Sequence, residues 1–230
     1  MSPLRRKALL VLALACAALA PLRAAPAAQD PDWAAIVGGY PQPGTPPSRE
    51  ELAILHWLQD TRTPADLARA ERENKPGLDT FLGALRAPLD PSAYPATAAL
   101  LRQARRDLKP VAAALKAKFD RARPVAVDPT LTPAMPSDGK PSFPSHHAAL
   151  GALFAQLLSR LDPADQDGFG WEGRLIGDDR VMAGLHWPSD VLAGRRLGAA
   201  FARYWLAAPE NQGLVDDAAR EFQGLGARSK

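Results

Sequence analysis

The sequence predicts an all-α protein, a single-domain helical bundle. Three observations lead there. Apolar residues recur at helical spacing in several stretches, most of them opened by a capping residue or a proline. Nothing alternates with period two over a useful length. The 230 residues are 47% hydrophobic, enough for one domain with a proper core. No internal repeat is visible.

The elements follow in chain order. Arg5, Arg6 and Lys7 precede ALLVLALACAALA, residues 8 to 20, and then a run of small residues. This is the layout of a secretory signal peptide, with a cut after Ala27 or Ala28. The apolar run is shorter than the roughly 20 residues of a bilayer crossing. Residues 29–47 form a Pro/Gly-rich lead-in, expected to be extended or loosely wrapped on the surface. The helical domain is expected over 48–230. Ser48 with Glu51 reads as a capping box for ELAILHWLQD. Thr63-Pro64 offers an N-cap and a first-turn proline for TPADLARAERE. GLDTFLGALRAPL reads as a short helix. AYPATAALLRQARRDLKPVAAALKAKFDRAR, residues 93 to 123, reads as a long helical stretch, with a kink expected at Pro110. From Arg123 to Pro144 the chain is proline-rich and without helical period, a connection of the length that is usually functional or disordered. HAALGALFAQLLSRL is helical again. Asp162-Pro163 opens the next helix, which runs to about Gly184 with a loose section at DGFGWEG. The last two helices are expected over Pro188 to Ala207 and about 210–224.

Composition excludes several classes. The formal charge is +3 and no long Lys/Arg block stands out, so nucleic acid is disfavoured as a partner. Cys16 is the single cysteine and lies in the apolar start. The mature chain therefore has no disulfide framework, no thiolate nucleophile and no cysteine metal site. No clear metal-ligand cluster appears, and no second run is apolar enough to cross a membrane. The expected location is periplasmic or secreted, without stable membrane insertion after signal cleavage.

Three clusters carry chemistry. Lys116 is followed after six residues by Arg123-Pro124. Pro144-Ser145-His146-His147 stands at the mouth of a helix. Arg180 is followed after five residues by His186 and after three more by Asp190. Lys116 and Arg123 lie two turns apart and can face one anion, Arg as a planar fork and Lys as a point charge. Ser145 stands where an N-cap should, so its hydroxyl and the free N–H groups beyond it form an anion site. His147 lies in the first turn, placed to hand over a proton. Pro188 starts a helix, which puts Asp190 in its first turn, where it can fold back on one nitrogen of His186 and leave the other to attack. Singly, each residue has a bland explanation: a solvated helix face, a cap, an N-terminal helix charge. Their joint order and spacing point to a phosphate site. His56 has no such company and is read as structural.

These residues resemble the three-part signature of the type 2 phosphatidic acid phosphatase superfamily: K-x6-R-P, P-S-G-H and S-R-x5-H-x3-D. The resemblance covers roughly residues 116 to 198, and GLHWPSDVLAGRRLG is similar to the bacterial class A non-specific acid phosphatases. It implies a helical fold of the acid phosphatase and vanadium haloperoxidase type. It implies that His186 attacks phosphorus, that Asp190 orients it, and that His147 protonates the leaving alcohol and then activates water. Lys116, Arg123, Ser145 and Arg180 would hold the phosphoryl oxygens, with the backbone N–H of His146 as a further phosphate donor. No metal and no other cofactor is implied. The expected substrates are small phosphomonoesters, and the resemblance allows a homodimer.

Two positions depart from the signature. His146 replaces its glycine and brings a side chain to the phosphate site. Asp179 replaces the serine before Arg180, and its charge should point away or pair with a base. The alternative functions are a lipid or isoprenoid-pyrophosphate phosphatase, a vanadium haloperoxidase, and a phosphate-binding protein without catalysis.

Overall fold

The computed structural model describes residues 30–82 and 90–226. The expected signal peptide, 1–28, and the end of the GLDTFLGALRAPL helix lie outside the described residues. Every regular element among the described residues is helical, as the periodicity requires. The main helices are α1 (Trp33–Val37), α2 (Pro46–Thr61), α3 (Pro64–Arg72), α4 (Leu78–Leu82), α5 (Pro95–Phe119), α6 (Pro124–Val127), α7 (His146–Leu161), α8 (Gln166–Met182), α9 (Pro188–Ala207) and α10 (Gln212–Gly226).

Helix α7 is the centre of the bundle. Its sequence is apolar on nearly every side, the pattern of a helix surrounded by protein. Leu150, Leu153, Phe154, Leu157 and Leu158 are all buried. It packs mainly between α8 and α9. That packing is close because the facing residues are small. A Cβ on Gly173 of α8 would meet the backbone of Gly151, and one on Gly194 of α9 would meet the carbonyl of Ser145. Gly194 therefore lets the N-terminus of α7 sit directly against the helix that carries Asp190.

Several local expectations are corrected. DGFGWEG is continuous helix within α8, because Phe169 is fully buried and Gly173 is the contact with α7. Asp162 caps a single 3-10 turn, Pro163–Asp165, ahead of α8. Helix α2 starts at Pro46 under Thr45, and Ser48 Oγ donates to Thr45 O at 2.9 Å, so Ser48 and Glu51 form no capping box. The prolines at the first two helical positions move the start upstream. Thr63 and Asp66 do form one, on α3. Helix α5 is one element of 25 residues with Pro110 inside it, and it ends at Phe119, short of the expected Arg123. The 123–144 connection contains the short helix α6.

The lead-in is more engaged than a loose wrap. Val37 is fully buried, Trp33 packs on Phe201 with ring centroids 5.6 Å apart, and Tyr40 lies 5.2 Å from Phe143. Tyr40 and Phe143 meet Phe119 at the end of α5, where Asp120 takes a left-handed conformation (φ 42°) and turns the chain. Asp is among the few non-glycine residues that accept this conformation at low cost. The turn sends Arg121 and Arg123 toward the N-termini of α7 and α9.

Candidate active site

Three chain segments meet at one cleft: the α5–α6 corner, the N-terminus of α7, and the α8–α9 corner. The cavity there is about 120 Å³ and is lined by Lys116, Arg123, His146, His147, Arg180 and His186, among others. The positions singled out in the sequence thus come together, with Ser145 and Asp190 buried directly behind them.

His186 is 3% exposed, and Ser142 Oγ lies 3.3 Å from its Nδ1. Its Nδ1 is 3.2 Å from Asp190 Oδ2, and its Nε2 is 3.1 Å from Arg123 Nη1. A guanidinium can only donate, so Nε2 must be the acceptor and the ring proton must sit on Nδ1, facing the carboxylate. The lone pair on Nε2 thus points into the cationic side of the cleft. Burial pulls the His186 pKa down to about 4 against the pull of Asp190, and Arg123 and Lys116 push the same way as burial. The ring is neutral at pH 7, as a nucleophile must be.

Asp190 is fully buried and heavily bonded. Oδ2 accepts from His186, from Trp187 N at 3.0 Å and from Ser142 Oγ; Oδ1 accepts from Arg121 Nη1 at 2.7 Å. Burial alone would raise its pKa. His186, Arg121 and Ser142 reverse that, and the carboxyl stays below its ordinary value. Its main-chain carbonyl also accepts from Ser145 N at 2.9 Å, tying α9 to the cap of α7.

Ser145 caps α7, its Oγ accepting from Ala148 N at 3.3 Å. Lys116 is 9% exposed, and its Nζ donates to Ser142 O at 3.1 Å and to Pro141 O. Burial, with Arg123 nearby, lowers the ammonium pKa to about 8. Arg123 spreads its fork over Lys140 O, Leu185 O, Asp138 and His186. The proline-rich connection is thereby folded back onto the cleft, where Pro136, Ser137 and Asp138 form part of the wall.

His147 Nε2 is 3.0 Å from the carbonyl of Asn74. A carbonyl only accepts, so this nitrogen carries the proton of the neutral ring. Burial, and then the charge of Arg180, lower the His147 pKa to about 4. His146 also lines the cleft. Its Nδ1 is buried with no hydrogen-bond partner among the described residues, and burial and the neighbouring His147 bring its pKa to about 4 as well.

Arg180 is 1% exposed. It donates to Asn74 Oδ1 at 3.2 Å and to Ala70 O, both at the end of α3. Asp179 turns away from the cleft and takes the fork of Arg69, at 2.9 and 2.7 Å. The charge expected to need a base has found one. His56 lies apart, bonded to Asp128 at 2.9 Å.

Four residues here were passed over in the sequence. Ser142 and Asn74 carry no local signal at all. Arg121 lies inside the K-x6-R-P spacing, two residues before Arg123, and could have been noticed there. Glu51 reads in the sequence as half of a capping box, yet it lies against Arg121 at 2.7 Å.

The class of site is thus a cationic cleft holding three neutral histidines, set among the helix ends of an all-α bundle. Residues 108–213 match the PAP2 superfamily, and all eight positions named from the sequence fall in that segment. The resemblance read from the sequence is borne out. Among known proteins, a non-specific acid phosphatase of Providencia stuartii is 37% identical over 84 residues, 36% of this chain and 34% of that protein. A lipid A 1-phosphatase of Rhizobium johnstonii is 39% identical over 61 residues, 26% of this chain and 25% of that protein. The chain thus spans about a third or less of the length of these relatives. The transmembrane PAP2-type phosphatidylglycerolphosphate phosphatase of Bacillus subtilis shares the fold, with a TM-score of 0.51 at 18% identity over 76% of this chain and 89% of that one. Among the described residues, no helix of this protein is long and apolar enough to cross a membrane.

Proposed function

We propose that the protein is an exported phosphatase that hydrolyses phosphate monoesters through a phosphohistidine on His186, without a metal. The observation that carries this reading is the state of His186: neutral, protonated on Nδ1 toward Asp190, with Nε2 presented beside Arg123 and Lys116. A nucleophile oriented by a carboxylate and set among cations has what phosphoryl transfer needs.

In the first step Nε2 forms a bond to phosphorus while the P–O bond to the alcohol breaks. Lys116, Arg123, Arg180 and the N-terminus of α7 at Ser145 and His146 hold the phosphoryl oxygens. Asp190 supports the positive charge that His186 acquires. His147 gives a proton to the departing oxygen. In the second step His147 takes a proton from water, the water oxygen attacks phosphorus, and the P–N bond breaks to release inorganic phosphate. The contact with Asn74 occupies Nε2–H of His147, so the transferred proton belongs on Nδ1. Export rests on the basic-then-apolar N-terminal pattern. A homodimer rests on the family resemblance alone.

The test is hydrolysis of para-nitrophenyl phosphate by the mature protein in EDTA. His186→Ala should abolish turnover, and His147→Ala should lower kcat by about 10²–10⁴. Full activity in either variant would refute the mechanism.

A second reading is a phosphatase acting on a lipid-borne phosphate, favoured by the likeness to the lipid A 1-phosphatase. A higher kcat/KM for a short-chain phosphatidic acid than for para-nitrophenyl phosphate would select it.

A further inference from the structure

Asp190 is restrained by more than the histidine it faces. Arg121 is 7% exposed and Glu51 is 6% exposed, although they come from the α5–α6 corner and from α2. Arg121 Nη1 donates to Asp190 Oδ1 and to Ser189 Oγ, each at 2.7 Å, and Nη2 donates to Glu51 Oε2 at 2.7 Å. Glu51 closes the circuit by accepting from Ser189 N at 2.6 Å through Oε1. The guanidinium plane is held between two rings, with Cζ 4.6 Å from the centre of Tyr40 and 4.9 Å from that of Trp187.

A buried Arg–Glu pair gains little net stability, because desolvation offsets the attraction. What this pair does achieve is geometric. Arg121 saturates Oδ1 of Asp190, so Oδ2 is the atom presented to His186. Glu51 fixes the other end of the fork and offsets the charge of Arg121 beside Lys116 and Arg123.

We infer that Arg121 and Glu51 are positioning residues for His186: they clamp the Asp190 carboxylate so that the imidazole keeps its proton on Nδ1 and its lone pair on Nε2. The kinetic consequence rests on the proposed phosphatase reading; the tautomer does not. Glu51 lies outside the segment that matches the family, so α2 completes a site whose reacting groups are all elsewhere.

The experiment uses the full mature chain labelled with ¹⁵N-histidine, the ring signals of His186 being assigned by their loss in His186→Gln. At pH 7 the wild type should show His186 protonated on Nδ1. The double variant Arg121→Met/Glu51→Gln removes both charges together and leaves neither buried alone. It should show mixed tautomers. Its kcat for para-nitrophenyl phosphate should fall by about 10–100-fold with KM little changed, the size of effect seen for outer partners of metal-bound histidines. Arg121→Lys should recover only part of kcat, because an ammonium cannot span both oxygens. A folded double variant with an unchanged tautomer and kcat would overturn the inference. Should that variant not fold, the isosteric Glu51→Gln decides: a several-fold loss of kcat at constant KM supports the clamp, and wild-type kcat refutes it. An inactive wild type would defeat the phosphatase reading, while the tautomer comparison would still decide the clamp.

Discussion

Arg123 Nη1 donates to His186 Nε2 at 3.1 Å, so the atom that attacks phosphorus in the proposed mechanism is also the hydrogen-bond partner of a cation proposed to hold phosphate. Substrate must draw this guanidinium onto its own oxygens to free the lone pair. The same contact bears on pH. Burial, with Arg123 and Lys116, holds His186 near 4, opposed by Asp190. Removing one positive charge makes protonation easier, so Arg123→Gln should move the acid limb of kcat/KM to higher pH. The wild-type optimum should be acidic, since His147 must be protonated and its pKa is also depressed, while bound phosphate raises it. Profiles of both proteins from about pH 3 to 9 check this.

Asp179 is 1% exposed and takes both ends of the Arg69 fork. Arg69→Met would strand that carboxylate beside Glu73. We expect a loss of about 1–3 kcal/mol, below the usual cost of breaking a fully buried pair because Arg69 is about a third exposed. Adding Asp179→Ser, which restores the signature residue, should recover most of it. Urea denaturation of the single and double variants measures the recovery.

Glu73 has its pKa raised to about 8, by burial first and then by Asp179. The group is protonated in the folded protein at pH 7, whereas the unfolded chain titrates near 4.5. Its contribution is fully present below about 4.5 and is lost as pH rises through about 8. The three histidines of the cleft act in the opposite sense: folded values near 4 against 6.5 mean that stability is lost as pH falls from about 6.5 toward 4. Glu73→Gln should therefore flatten the decline of Tm between about pH 6.5 and 8, and leave the loss below about pH 4.5 unchanged. Thermal melts across that range read both limbs.

His146 fills space in a cavity of about 120 Å³ and has a buried nitrogen without a hydrogen-bond partner among the described residues. His146→Gly should widen the cleft while keeping the main-chain N–H at the head of α7. We expect kcat/KM for a bulky aryl phosphate to rise relative to para-nitrophenyl phosphate. A constant ratio would mean that the ring does not limit access.

Gly194 faces the carbonyl of Ser145 with no room for a side chain. Gly194→Ala should cost about 1–3 kcal/mol through overpacking. It should also raise KM, because the cap of α7 is displaced from Asp190. Denaturation and steady-state kinetics on one preparation separate the two effects.

The all-α class, the helices α7 and α9 and the positions that come together at the cleft were legible in the amino-acid sequence. Each depends on local chemistry: apolar spacing at the helical period, a serine or proline at a helix start, and cations and imidazoles at fixed intervals along short stretches. The partners of those residues were not legible. Glu51 looks like half of a capping box, but a buried guanidinium from the α5–α6 corner offers it a stronger, charge-assisted bond. Asp179 finds Arg69 across 110 residues, Asn74 meets His147 across 73, and Arg121 reaches Asp190 across 69. DGFGWEG looks like a loose link by glycine content, and becomes helix because Gly173 is where α8 touches α7. Sequence by itself determined which groups could handle phosphate. Tertiary packing decided which tautomers and charges they carry, because those depend on burial and on partners that only the folded chain brings within hydrogen-bond reach.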